Sequence, residues 1–278
     1  HAVHALGIDV EHFYGGGDGN PNIFRRNHVY DVGGHAIAIL GANDTRVENN
    51  LITGVQIFGI LVNTNAGPAL RNELFNNTID NVADRAIAII EGQPADSLGL
   101  VPQNTRIQNN IFNNVANWAI YDQGGGTSVD YNLYWQMHSA VAFWGGTTRF
   151  TLADFQSTGQ EIHGLAQNPL FALPGDFRLD EFSPAIDAGL NTNAPAVDYW
   201  GMVRPWDGNN DAVAVVDNCD VIYLTKLFGA GKLPFKWMTI DLASVLFALK
   251  VNPVKYQLDS TGAKTFYKTL GIDTKKYR

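Results

Sequence analysis

An Asn-centred strand end, followed after a short bridge by a small residue and alternating aliphatics, returns again and again along the first half of the chain, and this recurrence constrains the fold more than any other feature. Glu48-Asn49-Asn50-Leu51-Ile52 is followed by Gly59-Ile60-Leu61-Val62, Phe75-Asn76-Asn77-Thr78-Ile79 by Ala86-Ile87-Ala88-Ile89, and Gln108-Asn109-Asn110-Ile111-Phe112 by Ala119-Ile120-Tyr121. Variant copies are Arg25-Arg26-Asn27-His28-Val29 with Ala36-Ile37-Ala38-Ile39, and Asp130-Tyr131-Asn132-Leu133-Tyr134 with Ala140-Val141-Ala142-Phe143. The asparagines Asn27, Asn50, Asn77, Asn110 and Asn132 lie 23, 27, 33 and 22 residues apart. That is the period of a solenoid coil with loops of variable length.

A unit of this size cannot bury its own apolar face. Stacked units can, because parallel strands at ~4.8 Å spacing line up their inward side chains into columns. Period-two alternation points Ile37 and Ile39, Ile60 and Val62, and Ile87 and Ile89 into that core. An asparagine at the same bend of every coil can bond the coils above and below, serving amides that no strand ladder reaches. The order of a leucine-rich repeat is missing, and so is a recurring Trp-Asp pair of the propeller kind, since Trp206-Asp207 stands alone and outside the repeats. The reading is therefore all-β: a parallel β-helix solenoid over 1–150, a β-rich closing segment over 151–216 and a lysine-rich, helical tail over 217–278. Gly7-Ile8-Asp9-Val10 matches the second strand of a coil and leaves no room for a terminal cap, so further sequence before His1 is expected.

Charge divides the chain in the same place. Residues 1–225 hold nine arginines, no lysine and 24 acids, whereas 226–278 hold nine lysines, one arginine and three aspartates. An acidic body repels phosphate backbones, which argues against nucleic acid as a partner, while the basic tail suits an acidic partner or a neighbouring subunit. No apolar run approaches the ~20 residues of a membrane span. Cys219 is the only cysteine, so no internal disulfide is possible.

The repeats resemble the right-handed parallel β-helix (pectate-lyase-like) superfamily, which includes pectate and alginate lyases, mannuronate epimerases, polygalacturonases and phage tailspikes. The region from Asn168-Pro169-Leu170-Phe171 through Gly175-Asp176-Phe177-Arg178-Leu179 and Ser183-Pro184-Ala185-Ile186-Asp187-Ala188-Gly189 to Asp198, Gly201 and Arg204-Pro205 resembles the choice-of-anchor Q region of secreted bacterial β-helix proteins. There Asp187, Asp198 and Arg204 are expected to form a closing ion-pair network. The stretches 216–224 and 240–249 echo each other at a 24-residue offset, like the paired helices of a dockerin. Asp207, Asn209 and Asp211 are spaced as the first half of an EF-type calcium loop, but Ala212 stands at the turn glycine and Asn218 at the twelfth position.

The resemblance implies an extracellular or cell-surface protein working on a polysaccharide or another glycan. Eliminative cleavage of a polyuronide needs a base, a group that neutralises the sugar carboxylate and an acid for the departing oxygen. The candidates are His35 or His12 as base, Arg25, Arg26 or Arg85 as neutraliser, and Asp9 or Glu11 as ligands of a possible calcium ion; no cofactor is otherwise implied. Asp9 is expected in an outward slot continued by Ala38, Leu61, Ala88 and Ala142. Among the aromatics of the last coils, Trp118, Tyr121 and Trp144 either stack on sugar rings or fill the core. The same residues fit a non-catalytic adhesin, glycan binder or fibre module.

Overall fold

The computed structural model describes residues 7–11, 21–65, 67–92, 100–124, 126–180 and 182–204. All of them belong to one unit of the chain, His1–Asn218. The glycine-rich loop after His12, the EF-type spacing over 207–218 and the whole tail over 217–278 with its expected helices lie outside the described residues.

Each coil contributes one strand to each of three sheets. The first sheet stacks Asn22–Arg25, Thr45–Glu48, Glu73–Phe75, Arg106–Gln108 and Ser128–Asp130. After the asparagine bend comes the second sheet, formed by His28–Val32, Leu51–Val55, Thr78–Val82, Ile111–Val115 and Leu133–Met137. The third begins with Ile8–Glu11 and continues through Ile37–Leu40, Phe58–Asn63, Arg85–Ile90, Trp118–Asp122 and Ala140–Trp144, with Thr147–Arg149 added antiparallel at its end. Every other pairing in the three sheets is parallel, coil on coil, as the repeat predicts.

Inward columns follow the register. Ile37, Ile60, Ile87, Ile120 and Ala142 stack in the third sheet, and Val29, Ile52, Ile79, Phe112 and Tyr134 in the second. The columns compensate each other: where one enlarges to Phe112 and Tyr134, the other shrinks to Ala142, and all five of Ile60, Ile87, Phe112, Ile120 and Ala142 are fully buried. Each buried aliphatic contributes about 1.5–3 kcal/mol of transfer free energy. The small residue ahead of each aliphatic pair also has a cause. A Cβ on Gly59 would lie 2.6 Å from the carbonyl oxygen of Ala86, so at this corner even alanine would force a shift.

The asparagine column is continuous. Asn27 donates its backbone N–H and its Nδ2 to Oδ1 of Asn50 at 3.1 and 2.9 Å, Asn50 does the same to Asn77, Asn77 to Asn110, and Asn110 to Asn132. The second Nδ2 hydrogen reaches a strand carbonyl, such as that of Val47 from Asn77 at 2.8 Å. The residue before each of these asparagines has positive φ: Arg26, Asn49, Asn76, Asn109 and Tyr131 lie between 53° and 62°. Asparagine adopts this left-handed region more readily than most residues. The Asn-Asn pair therefore splits two jobs, the first residue turning the chain and the second tying the coils together.

Beyond the last coil, the helix Leu152–Gln156 plugs the core with Leu152 and Phe155, the Phe155 ring 5.4 Å from Trp144. Thr151 and Asp154 cap its start reciprocally. The closing segment then runs back along the outside. Its antiparallel hairpin, Phe171–Leu173 with Asp176–Leu179, buries Leu179 against Ile111 and Leu133 of the second sheet. Farther on, Asn193 O accepts from Arg46, Val197 O from Asn49 and Tyr199 O from Arg26. Arg204, 7% exposed, donates to Asn49 Oδ1 and Val197 O, and its charge reaches the fully buried Asp198.

Candidate functional site

One row of side chains on the outer face of the third sheet combines rings, a guanidinium, an imidazole and a carboxylate. The pleat sends alternate residues of each strand outward, and stacked coils align them at ~4.8 Å steps. Phe58, Arg85 and Trp118 are register partners, and Leu61, Ala88, Tyr121 and Phe143 form the next column. The Arg85 guanidinium carbon sits 4.0 Å from the Tyr121 ring centroid, 4.9 Å from Phe58 and 5.4 Å from Trp118. Tyr121 stacks on Phe143 at 4.6 Å and 16°, and Trp118 meets Tyr121 edge-on at 5.3 Å. At the other end, His35 stacks on Phe58 at 4.6 Å and 14°.

Electrostatics tune this row from the adjoining corner. Asp84 lies 3.5 Å from Arg85 Nε and accepts from Asn117 Nδ2 at 2.8 Å. Burial pulls the His35 imidazole below its usual pKa, and the Asp84 carboxylate only partly offsets that. His35 is thus neutral at pH 7. Its Nδ1 and the Trp118 Nε1 are buried without a hydrogen-bond partner among the described residues. The upper part of the face is closed, since Ala38, Leu40, Phe58, Leu61 and Ala88 are all buried. The lower part, with Arg85, Trp118, Tyr121 and Phe143, is half-buried.

The structure thus brings together four of the residues singled out in the sequence, His35, Arg85, Trp118 and Tyr121, and adds Phe58, Asp84 and Phe143. The remainder are dispersed. Arg25 ends a strand of the first sheet in register with Glu48, and Arg26 is held on Tyr199 O at 2.8 Å; both stand at the corner between the first and second sheets. Trp144 points inward, 8% exposed, and belongs to the core. The outward slot of Asp9 runs through Ala38, Leu61 and Ala88 but continues as Tyr121 and Phe143. Ala142, expected in that slot, pairs with Ile120 on the inner face, because the last coil is offset by one residue from the sequence alignment. Asp9 is exposed on the first strand, His12 and the Glu11 side chain lie outside the described residues, and no group of three or more His, Cys, Asp or Glu able to hold a metal ion occurs among the described residues.

A family model described as the right handed beta helix region matches residues 18–156, half of the chain. The chain belongs to the right-handed β-helix family. The matched span runs from just before the first complete coil of this β-helix to the end of its short helix. No curated protein and no solved structure matches the chain. No helix among the described residues of the β-helix is long and apolar enough to cross a membrane.

Proposed function

We propose that this β-helix is an extracellular or cell-surface carbohydrate-binding protein that holds a linear polysaccharide along the lower outer face of its third sheet. The observation that carries the reading is Arg85 packed among Phe58, Trp118 and Tyr121 with Phe143 stacked beyond. Half-buried rings offer apolar surface to the C–H groups of sugars, and a guanidinium offers forked donors to hydroxyls or carboxylates. The step between coils is comparable to the length of one pyranose unit, so successive rings suit successive sugars.

A lyase is the second reading, favoured by a neutral His35 and a cationic Arg85 on one face. Against it, His35 and Arg85 bracket the Phe58 ring from opposite sides, which spaces the base from the neutralising group by more than one ring. Binding without turnover is therefore the stronger reading.

Affinity electrophoresis through polygalacturonate, alginate, xylan and neutral glucans, run beside a measurement of ultraviolet absorbance from unsaturated ends, tests both. Retardation that disappears in Tyr121→Ala and Arg85→Ala, without new absorbance, is the expected result. Equal retardation of the variants sinks the binding site, and absorbance that grows with time moves the protein to the lyases.

A further inference from the structure

Where the closing segment crosses the corner between the first and second sheets it leaves a shallow crevice. It is lined by Asn76 and Thr78, by the rings of Phe177, Tyr199 and Trp200, and by Arg204. The asparagines at this corner have the same left-handed backbone but different partners. Asn49 Nδ2 donates to Val197 O at 2.7 Å and Asn109 Nδ2 to Leu190 O at 2.9 Å. Asn76, between them and 2% exposed, has a buried Nδ2 with no acceptor among the described residues. At its level the closing segment offers rings in place of a carbonyl.

Leaving a buried amide donor unmatched costs about 1–3 kcal/mol, and a ligand that supplies an acceptor recovers it. Trp200 is 40% exposed, meets Tyr199 edge-on at 5.0 Å and lines the same crevice as Asn76. The Arg204 charge is already engaged by Asn49 and Asp198, which leaves the back of the crevice without a demand for an anion.

We propose that this crevice is a binding site for a single pyranose unit, whose ring stacks on Trp200 while one oxygen accepts a hydrogen bond from Asn76 Nδ2. The crevice is too shallow to enclose a ring, so the sugar lies across its mouth and lowers one edge into it. It stands at a different corner from the third-sheet row and does not rest on that row being a glycan site.

Titration of the ¹⁵N-labelled full chain with methyl glucoside, N-acetylglucosamine and glucuronate, following the Asn76 side-chain amide and the Trp200 indole, tests the assignment. Both resonances shift together and saturate, the response weakens roughly tenfold or more in Trp200→Ala and in Asn76→Gly, and Tyr121→Ala leaves it unchanged. Glycine keeps the left-handed backbone at position 76, and Trp200 is exposed enough for alanine to leave the fold intact. A response to all three sugars identifies a hydroxyl as the acceptor, and a response to glucuronate alone a carboxylate; either supports the site. No saturable shift with any sugar overturns the proposal, as does binding that survives Trp200→Ala or that is lost instead in Tyr121→Ala.

Discussion

Asn132 gives both its backbone N–H and its Nδ2 to the carboxyl group of Glu161, so the asparagine column ends on a glutamate that is fully buried. Burial outweighs the two donated hydrogen bonds and raises the Glu161 pKa to about 8, with the nearby Asp130 charge adding to the rise. The Tyr134 hydroxyl beside it is pushed up for the same reasons.

Glu161 therefore holds a proton at neutral pH in the folded chain and loses it on unfolding. A group whose pKa is higher in the native state stabilises that state fully below its unfolded value, and the contribution fades as pH rises through the folded one. Stability should fall between about pH 5 and pH 8, on the order of 4 kcal/mol from this group. Urea melts at both pH values check it. In Glu161→Gln the slope flattens, because a neutral amide presents its oxygen to Asn132 at every pH; a slope equal to that of the parent chain contradicts the assignment.

Gly164 is bound to the same cap. A Cβ there would fall 2.1 Å from Glu161 Oε2, so Gly164→Ala must displace the carboxyl from Asn132. A loss of about 2–4 kcal/mol is expected, and it shrinks when Glu161→Ala is already present. A thermal-melt double-mutant cycle measures the coupling.

Asn77 and Asn27 carry the same side chain at different depths in the column. Asn77→Ala removes the Oδ1 that accepts from both Asn50 donors and the Nδ2 that reaches Val47 O, in a fully buried setting, and should cost about 3 kcal/mol or more. Asn27 is only part-buried and has one described neighbour in the column, Asn50, so Asn27→Ala should cost about 1 kcal/mol. Equal losses in denaturant titrations would remove the argument that burial sets the worth of each rung.

Trp144 and Trp118 provide the matching contrast between core and face. Trp144→Ala empties the space above Phe155 and should cost about 3–5 kcal/mol. Trp118→Ala, on the outer row, should cost markedly less while weakening retention on a glycan matrix. Thermal melts paired with affinity electrophoresis separate the two.

Arg85→Lys keeps the charge but replaces a flat guanidinium lying among three rings with a point charge. Glycan affinity should drop roughly tenfold with little change in melting temperature. Retained affinity would show that charge alone, without stacking, accounts for the binding.

The coil architecture was legible because two independent periodicities coincide: asparagines at coil spacing and aliphatics at every second residue. Glu161 escaped notice because nothing in its type marks it as the heir to an asparagine position, and only coordinates place it under Asn132. The turning role of Asn49, Asn76 and Asn109 was hidden because both residues of each pair look alike, while φ distinguishes them. On the outer row, His35, Arg85, Trp118 and Tyr121 stood out by chemistry, whereas Phe58 and Phe143 read as ordinary apolar residues until register set them beside Arg85 and Tyr121. Ala142 was misplaced by one position, and in a strand one position exchanges inside for outside.

The polarity of the column limits how long such a protein can grow. Every asparagine passes two donors onward, so duplicating a repeat anywhere ahead of Asn132 merely inserts another link of the same kind. A side chain with no amide to hand on cannot do this, and appending a repeat past Glu161 would require its replacement first. The far end of the column is thus written at Glu161, beside the helix that plugs the core, and an engineer lengthening the spiral past that point would have to change both.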